Sequence, residues 1–389
     1  MKQQKIYSQL ISPAFIFLSI WAIQIIGHAF LSDDFDAFQD ETWWLLAAAI
    51  SAFCVGCIGA SVSVRQQIAP YFSESARKIK ATKLCFLVLA GFFIIYSVLP
   101  TVDMVLAAGS IAGARAAVVA GITNYDNSAV ISYYVSTLVV IFSIYLVSRS
   151  YLFTKTFIAL ALFIGLFAAV LSSGRTLLLL LFSAVPVSLY LQGRIRLKTI
   201  AVTVLLFMAA FLLLAVIQGK GGDDIEMWDQ VTWNLEVYFL NGLAAFNSFV
   251  VNNFPSFDGS LLLPNMFRRL FDIGGEPAAL VLPFVETPLV GNVYTAMYPY
   301  YHDGGLLGLV CGFFGIGFFS QYLYRKRRKS SNHIFYYSVS VYALIMTVFQ
   351  EQYLQAYPIW VMIFVVPALP RLGIFFFKPA IKAQIHSPG

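Results

Sequence analysis

TFIALALFIGLFAAVLSSGRTLLLLLFSAVPVSLYLQ, residues 156–192, holds a single charge, Arg175, in 37 residues. A bilayer core about 30 Å thick is crossed by about 20 apolar helical residues. The stretch therefore predicts two spans, 156–172 and 176–192, joined by the turn Ser172-Ser173-Gly174-Arg175-Thr176. Working outward, similar runs occur at 11–31, 43–64, 84–102, 129–148, 199–218, 304–324, 333–350 and 358–377, which brings the expected spans to ten. The whole chain agrees: its 389 residues are 59% hydrophobic and 11% charged, with 36 Phe and a mean hydropathy of +0.78. Soluble proteins carry about 25% charged residues. A soluble domain, a disordered chain and a secreted disulfide scaffold are excluded, and the expected class is an all-α polytopic membrane protein.

Charge orients the spans. Lys/Arg gather in 1–10, 65–83, 149–155, 193–198, 325–332 and the C-terminal tail, and acidic segments alternate with them. Under the positive-inside rule both termini are cytoplasmic. The inner side then has 20 Lys/Arg against one acid, Glu74, a net +19; the outer side has 5 against 18, a net −13. The overall +6 reflects topology, and no nucleic-acid partner is expected; RKRRK at 325–329 reads as a cytoplasmic anchor. The first run lacks a small-residue cleavage pattern and reads as a retained span. Cys54, Cys57, Cys85 and Cys311 all lie in apolar runs and read as packing residues.

Three regions follow: seven spans in 1–218, a long outer loop in 219–303, and three spans with a cytoplasmic tail in 304–389. Loops that long are usually functional. Trp228, Trp233, Tyr238, Phe239, Phe246 and Phe249 suit interfacial helices. The Pro-broken piece from Glu276 to Gly291 suits a re-entrant or lid segment. Threading both pieces through the bilayer gives a twelve-span alternative.

Outer-side arginines stand against the topology rule. Arg175 is expected at or just below the outer headgroup level, where it either snorkels to lipid phosphates or faces an anionic group held at that depth. Arg115, Arg268 and Arg269 are further candidates, because a guanidinium fork matches phosphate oxygens in pairs; ordinary ion pairs are the alternative. Asn292-Val-Tyr-Thr-Ala-Met-Tyr-Pro-Tyr-Tyr-His-Asp combines flat rings with donors and acceptors, which suits sugars. Asn292, Tyr294, Tyr298, His302 and Asp303 are the candidates there, with an aromatic interfacial belt as the alternative. Gly304, Gly308 and Gly312 form a small-xxx-small face for close helix packing. Glu351, after the ninth span, reads as a general base with a raised pKa or as the partner of an outer arginine. His28 reads as a polar interfacial residue. No Walker loop, dinucleotide fingerprint, metal-ligand cluster or nucleophile elbow is found.

With Ser-Ser-Gly-Arg-Thr at 172–176, Asn-Val-Tyr-Thr-Ala at 292–296, Gln-Glu-Gln-Tyr at 350–353 and a long late outer loop, the chain resembles the bacterial O-antigen (oligosaccharide repeat unit) polymerases of the Wzy type. The resemblance covers most of the chain with the order preserved. It implies a GT-C-like, O-antigen ligase-like architecture and a metal-independent glycosyltransferase, without cofactor, on the periplasmic face of the inner membrane. Donor and acceptor would be undecaprenyl-pyrophosphate-linked oligosaccharides, and the resemblance leaves room for a chain-length regulator as a partner. Arg175 and Arg268, with Arg269 or Arg115, would stabilise the departing pyrophosphate. Glu351 or His302 would take the acceptor proton, and Asn292, Tyr294, Tyr298 and Asp303 would line the sugar path. An O-antigen ligase, and a flippase of lipid-linked sugars, are the rival readings.

Overall fold

The computed structural model describes residues 9–30, 35–65, 74–109, 113, 127–172, 175–217, 227–263, 282, 284–287 and 290–371, with backbone only at 127, 175, 214–217, 227 and 230. It is the structure of a helical membrane protein. The helices are α1 (Pro13–Phe30), α2 (Asp40–Ser63), α3 (Ala76–Ala108), α4 (Asn127–Val147), α5 (Lys155–Leu171), α6 (Arg175–Leu191), α7 (Leu197–Ile217), α8 (Met227–Phe239), α9 (Asn241–Asn252), α10 (Met297–Lys326), α11 (Ser331–Met346) and α12 (Tyr357–Val365). A two-residue antiparallel pair, β1 (Val285–Glu286) and β2 (Val290–Gly291), precedes α10.

Each of the ten expected apolar runs overlaps a helix, the last only in part, since 372–377 lie outside the described residues. Five (Pro13–Phe30, Asp40–Ser63, Ala76–Ala108, Ser128–Val147 and Met297–Lys326) are long and apolar enough to cross a bilayer, and four more are shorter apolar helices. The tenth, α11, carries Ser331, Ser338 and Ser340 and is buried along nearly its whole length, so protein rather than lipid surrounds it. Caps and turns set the ends. Thr154 Oγ1 accepts from Phe157 N before α5, and Ser330 Oγ accepts from His333 N before α11. Gly193, at φ +73, closes α6 in the left-handed conformation that glycine adopts without strain.

Packing does not follow chain order. One core joins α3, α4, α5 and α6 to α11 and α12, with every residue from Val139 to Val147 buried. A second joins α1 and α2 to α9, α10 and the segment from Tyr294 to Tyr301. The helix α11 faces both, with Phe335, Val339 and Tyr342 in the first and Leu344 in the second. Where α2 crosses α10, backbones touch: a Cβ on Gly56 would overlap the Phe314 carbonyl, and one on Gly317 the Phe53 carbonyl. Only glycine permits that approach. The sequence assigned close packing to Gly304, Gly308 and Gly312 instead. In the structure Gly305 breaks α10 with φ 55 and ψ −150. The first turn folds back, so Gly308 and Gly312 face the Tyr300 carbonyl and ring, while Gly304 faces open space. That glycine spacing serves a bend within one helix, not a helix–helix crossing.

Glu74 pairs with Arg149 (2.7 Å) and Lys78 (3.0 Å), and Arg149 also bonds Asn332 and covers the Tyr145 ring. Within RKRRK, Arg327 is buried over the Tyr324 ring and bonds its carbonyl, so it packs rather than simply anchoring. The four cysteines are free; Cys57 is buried, Cys54 and Cys85 are half-buried, and Cys311 is exposed, so the packing reading does not extend to Cys311. His28 is buried against the Leu240 carbonyl (2.8 Å).

Candidate functional site

The segment 292–303 is a crossroads of several helices. Thr295 N donates to the Gly242 carbonyl (3.3 Å) and Ala296 N to the Thr347 carbonyl (2.8 Å), so this stretch ties the start of α9 to the end of α11. From α1, Trp21 Nε1 donates to Thr347 Oγ1 (3.1 Å), and Gln24 Nε2 donates to the carbonyls of Phe239 (3.1 Å) and Val348 (3.3 Å). Irregular backbone buried among helices needs such partners. The Asn-Val-Tyr-Thr-Ala stretch thus has a bracing role as well as any role with substrate.

Its Tyr294 and the tyrosines beyond it pack against one another and their neighbours. Tyr294 stacks on Tyr298 with centroids 4.4 Å apart, and burial, with the neighbouring Tyr298, pushes the Tyr294 phenol up to about 12. Tyr298 meets Phe249 edge-on, and the Tyr301 hydroxyl donates to Glu41 at the start of α2. All four tyrosines from 294 to 301 are buried.

Glu351 is 1% exposed. Its Oε1 accepts from Tyr353 N (2.6 Å), Leu354 N (3.0 Å) and the Tyr300 hydroxyl (3.1 Å), and its Oε2 from Leu354 N (2.9 Å) and Gln355 N (2.6 Å). Burial raises its pKa, and the backbone N–H groups and Tyr300 partly offset that. Both oxygens are committed to holding the turn between α11 and α12.

His302 lies at the surface of the same region. Its Nδ1 is 2.7 Å from Asp303 Oδ1, and Ser256 Oγ is 3.1 and 3.3 Å from its two ring nitrogens. Phe249 and Tyr298 support the ring, each at 5.6 Å. Asp303 Oδ2 accepts from Leu261 N (2.9 Å) and Leu262 N (2.6 Å), which fixes the carboxylate. Asp258, His302 and Asp303 bring three ligand-type atoms within 4.8 Å of one another. Hydrogen bonds already occupy both Asp303 oxygens and Asp258 Oδ1, which accepts from Ser260 N at 2.8 Å.

A cavity of about 480 Å³ runs between α1, α6, α7 and α11. Ile16, Ile20, Leu179, Phe207 and Ile345 are among its apolar walls, and Thr176, Asn292, Tyr294 and Gln350 are among the polar residues on its lining. Arg175 opens α6, one residue before Thr176. The described backbone therefore starts α6 beside the cavity lining. Arg115, Arg268 and Arg269 lie outside the described residues.

About half of this chain is similar to an O-antigen polymerase. The relative, from Shigella dysenteriae, is 32% identical over 197 residues, 48% of this chain and 48% of its own. The chain thus spans about half the length of the curated relative it matches. No family model matches the chain, and no solved structure matches it.

The structure brings His302 and Asp303 together, and Asn292 and Tyr294 to the cavity wall. Glu351 it places below the tyrosines, bonded to Tyr300. Sequence reading passed over Ser256 and Asp258, which the loop 253–263 carries to His302. The sequence signal was Phe-Pro-Ser-Phe-Asp-Gly at 254–259, a turn rich in rings and polar groups.

Proposed function

We propose that this protein is an O-antigen polymerase of the Wzy type, acting at the periplasmic face of the inner membrane with both termini cytoplasmic. Its donor is a growing glycan on undecaprenyl pyrophosphate, and its acceptor is a single lipid-linked repeat unit. The observation that carries the reading is the similarity to a protein of that name, in a chain whose apolar cavity ends among polar side chains. A long isoprenoid chain suits the apolar walls between α1, α6, α7 and α11. Its pyrophosphate then lies near Thr176, Asn292 and Gln350, with Arg175 adjacent in the chain.

In the reaction, the acceptor hydroxyl oxygen attacks the donor's anomeric carbon. The bond from that carbon to the pyrophosphate oxygen breaks, and its electron pair leaves with undecaprenyl pyrophosphate. Arg175, with Arg268 and Arg269 or Arg115, offsets the charge that develops on the leaving group. No metal is needed in this reading. His302 takes the acceptor proton, because Asp303 orients its ring and the imidazole is partly exposed. Glu351, with both oxygens hydrogen-bonded, acts as a positioning residue through Tyr300. Asn292, Tyr294 and Tyr298 flank the path between cavity and His302.

The test is a lipopolysaccharide gel from cells lacking the gene. A ladder collapsed to core with one repeat unit supports the polymerase. Bare core with accumulated lipid-linked polymer indicates a ligase, and bare core without that polymer indicates a flippase or an earlier step.

A further inference from the structure

Residues 253–263 form a platform clamped onto the bend of α10. Ser256 N (2.9 Å) and Phe257 N (3.3 Å) donate to the His302 carbonyl, Asp303 receives Leu261 N and Leu262 N, and Gln355 Nε2 holds the Leu261 carbonyl at 3.3 Å. On this fixed platform two large rings face outward: Phe254 is 92% exposed and Phe257 68%. Phe257 adopts φ 55, a conformation that bulky residues rarely take. Its ring lies beside Gly305, where an added Cβ would sit 3.1 Å away, so the residue that makes the bend also seats the ring.

Polar groups accompany the rings. Ser256 lies between them in sequence and reaches His302 in space, and Asp258 follows Phe257. Slight burial works against ionisation of Asp258, but hydrogen bonds from Ser260 and Ser256 and the nearby His302 outweigh it, so its carboxyl lies below the ordinary range. Flat apolar faces beside a carboxylate, a hydroxyl and an imidazole match the two sides of a pyranose: C–H groups on one, hydroxyls on the other. A loop that dips into lipid would instead have to carry the charged Asp258 down with its rings.

We propose that Phe254, Ser256, Phe257 and Asp258 form a carbohydrate-binding shelf beside His302. It holds the glycan of the incoming repeat unit so that its acceptor hydroxyl faces the imidazole. The inference rests on the polymerase reading and adds to it where the sugar is held, by residues that do not take part in the proton transfer.

The test uses full-length protein in nanodiscs and lipid-free repeat-unit oligosaccharide released from the host's own glycan, with binding read by saturation-transfer NMR. Phe254→Ala, Phe257→Ala and Asp258→Asn are each expected to weaken binding about fivefold or more, and Phe254→Trp to keep it. In assays with lipid-linked substrate the first three should raise the acceptor KM and leave kcat within about twofold. Phe163→Ala, an exposed ring on α5, should change neither quantity. Unchanged binding in all three shelf variants overturns the proposal, as does Phe254→Ala releasing the loop from lipid without altering sugar binding. A wild-type protein that binds no oligosaccharide overturns it too. The deletion-strain gel tests the polymerase reading separately: a collapsed ladder with unaffected shelf variants removes the shelf alone.

Discussion

The Tyr300 hydroxyl donates to Glu351 Oε1 across 3.1 Å, linking the folded-back first turn of α10 to the turn between α11 and α12. His302 lies two residues beyond Tyr300, so this bond helps to set where the imidazole stands.

Replacing Glu351 tests that link. Glu351→Ala leaves the Tyr353, Leu354 and Gln355 N–H groups and the Tyr300 hydroxyl without their acceptor. Stranded buried groups cost about 1–3 kcal/mol each, so a large drop in thermal midpoint is expected, with Tyr300→Phe costing only about 1 kcal/mol. The pH dependence has a definite sign. A carboxyl whose folded pKa is raised binds more protons folded than unfolded. Its stabilisation is therefore present below the ordinary value of 4.5 and is lost as pH rises through the raised one. Glu351→Gln should flatten that fall; thermal scans across the acid-to-neutral range would reveal it.

His302→Ala should lower polymer formation by roughly 10²–10⁴-fold, the usual weight of a general base. The loop contacts from Ser256 N and Phe257 N go to the His302 main-chain carbonyl, so the variant keeps them. Normal turnover in purified, folded His302→Ala would eliminate the imidazole as base.

Filling the cavity should also stop synthesis. Ser183 lines it on α6, and Ser183→Phe places a ring where the isoprenoid chain is proposed to lie. Polymer per folded protein should fall about tenfold, equivalent to about 1.4 kcal/mol of lost binding. An undiminished ladder would move the lipid chain elsewhere.

Gly317→Ala should sharply reduce folded protein, because the new Cβ overlaps the Phe53 carbonyl. Overpacking typically costs about 1–3 kcal/mol. Gly315→Ala, two residues away and with nothing within 4 Å, should be neutral. Fluorescence-detected size exclusion of the two variants gives the comparison.

Chelation addresses the Asp258–His302–Asp303 group. Polymerisation by purified protein should persist in excess EDTA. Loss of activity that Mg²⁺ or Mn²⁺ restores would assign an ion to these three residues.

Ten helices were legible because a bilayer demands long apolar runs, and those runs persist whatever packs beside them. The bend at Gly305 was not, since a glycine with φ 55 reads in sequence like any other small residue in a helix. For the same reason Gly308 and Gly312 suggested a neighbouring helix when their partner is Tyr300. The tyrosines at 294–301 were visible as a cluster, but composition does not say whether a ring faces a ligand or another ring. His302 and Asp303 stood out as polar residues in an aromatic stretch. Ser256 and Asp258 did not, because 46 and 44 positions separate them from His302, and only the clamped loop removes that distance.

The crossing of α2 and α10 at Gly56 and Gly317 also bears on how the protein is made. The two glycines are 261 residues apart, so α2 enters the membrane long before the surface that completes it has been translated. Until α10 arrives, the groove at Gly56 must be filled by lipid or an insertion factor. A ribosome that stalls before α10 releases a chain with an open seam, the kind of unfinished product that membrane proteases remove.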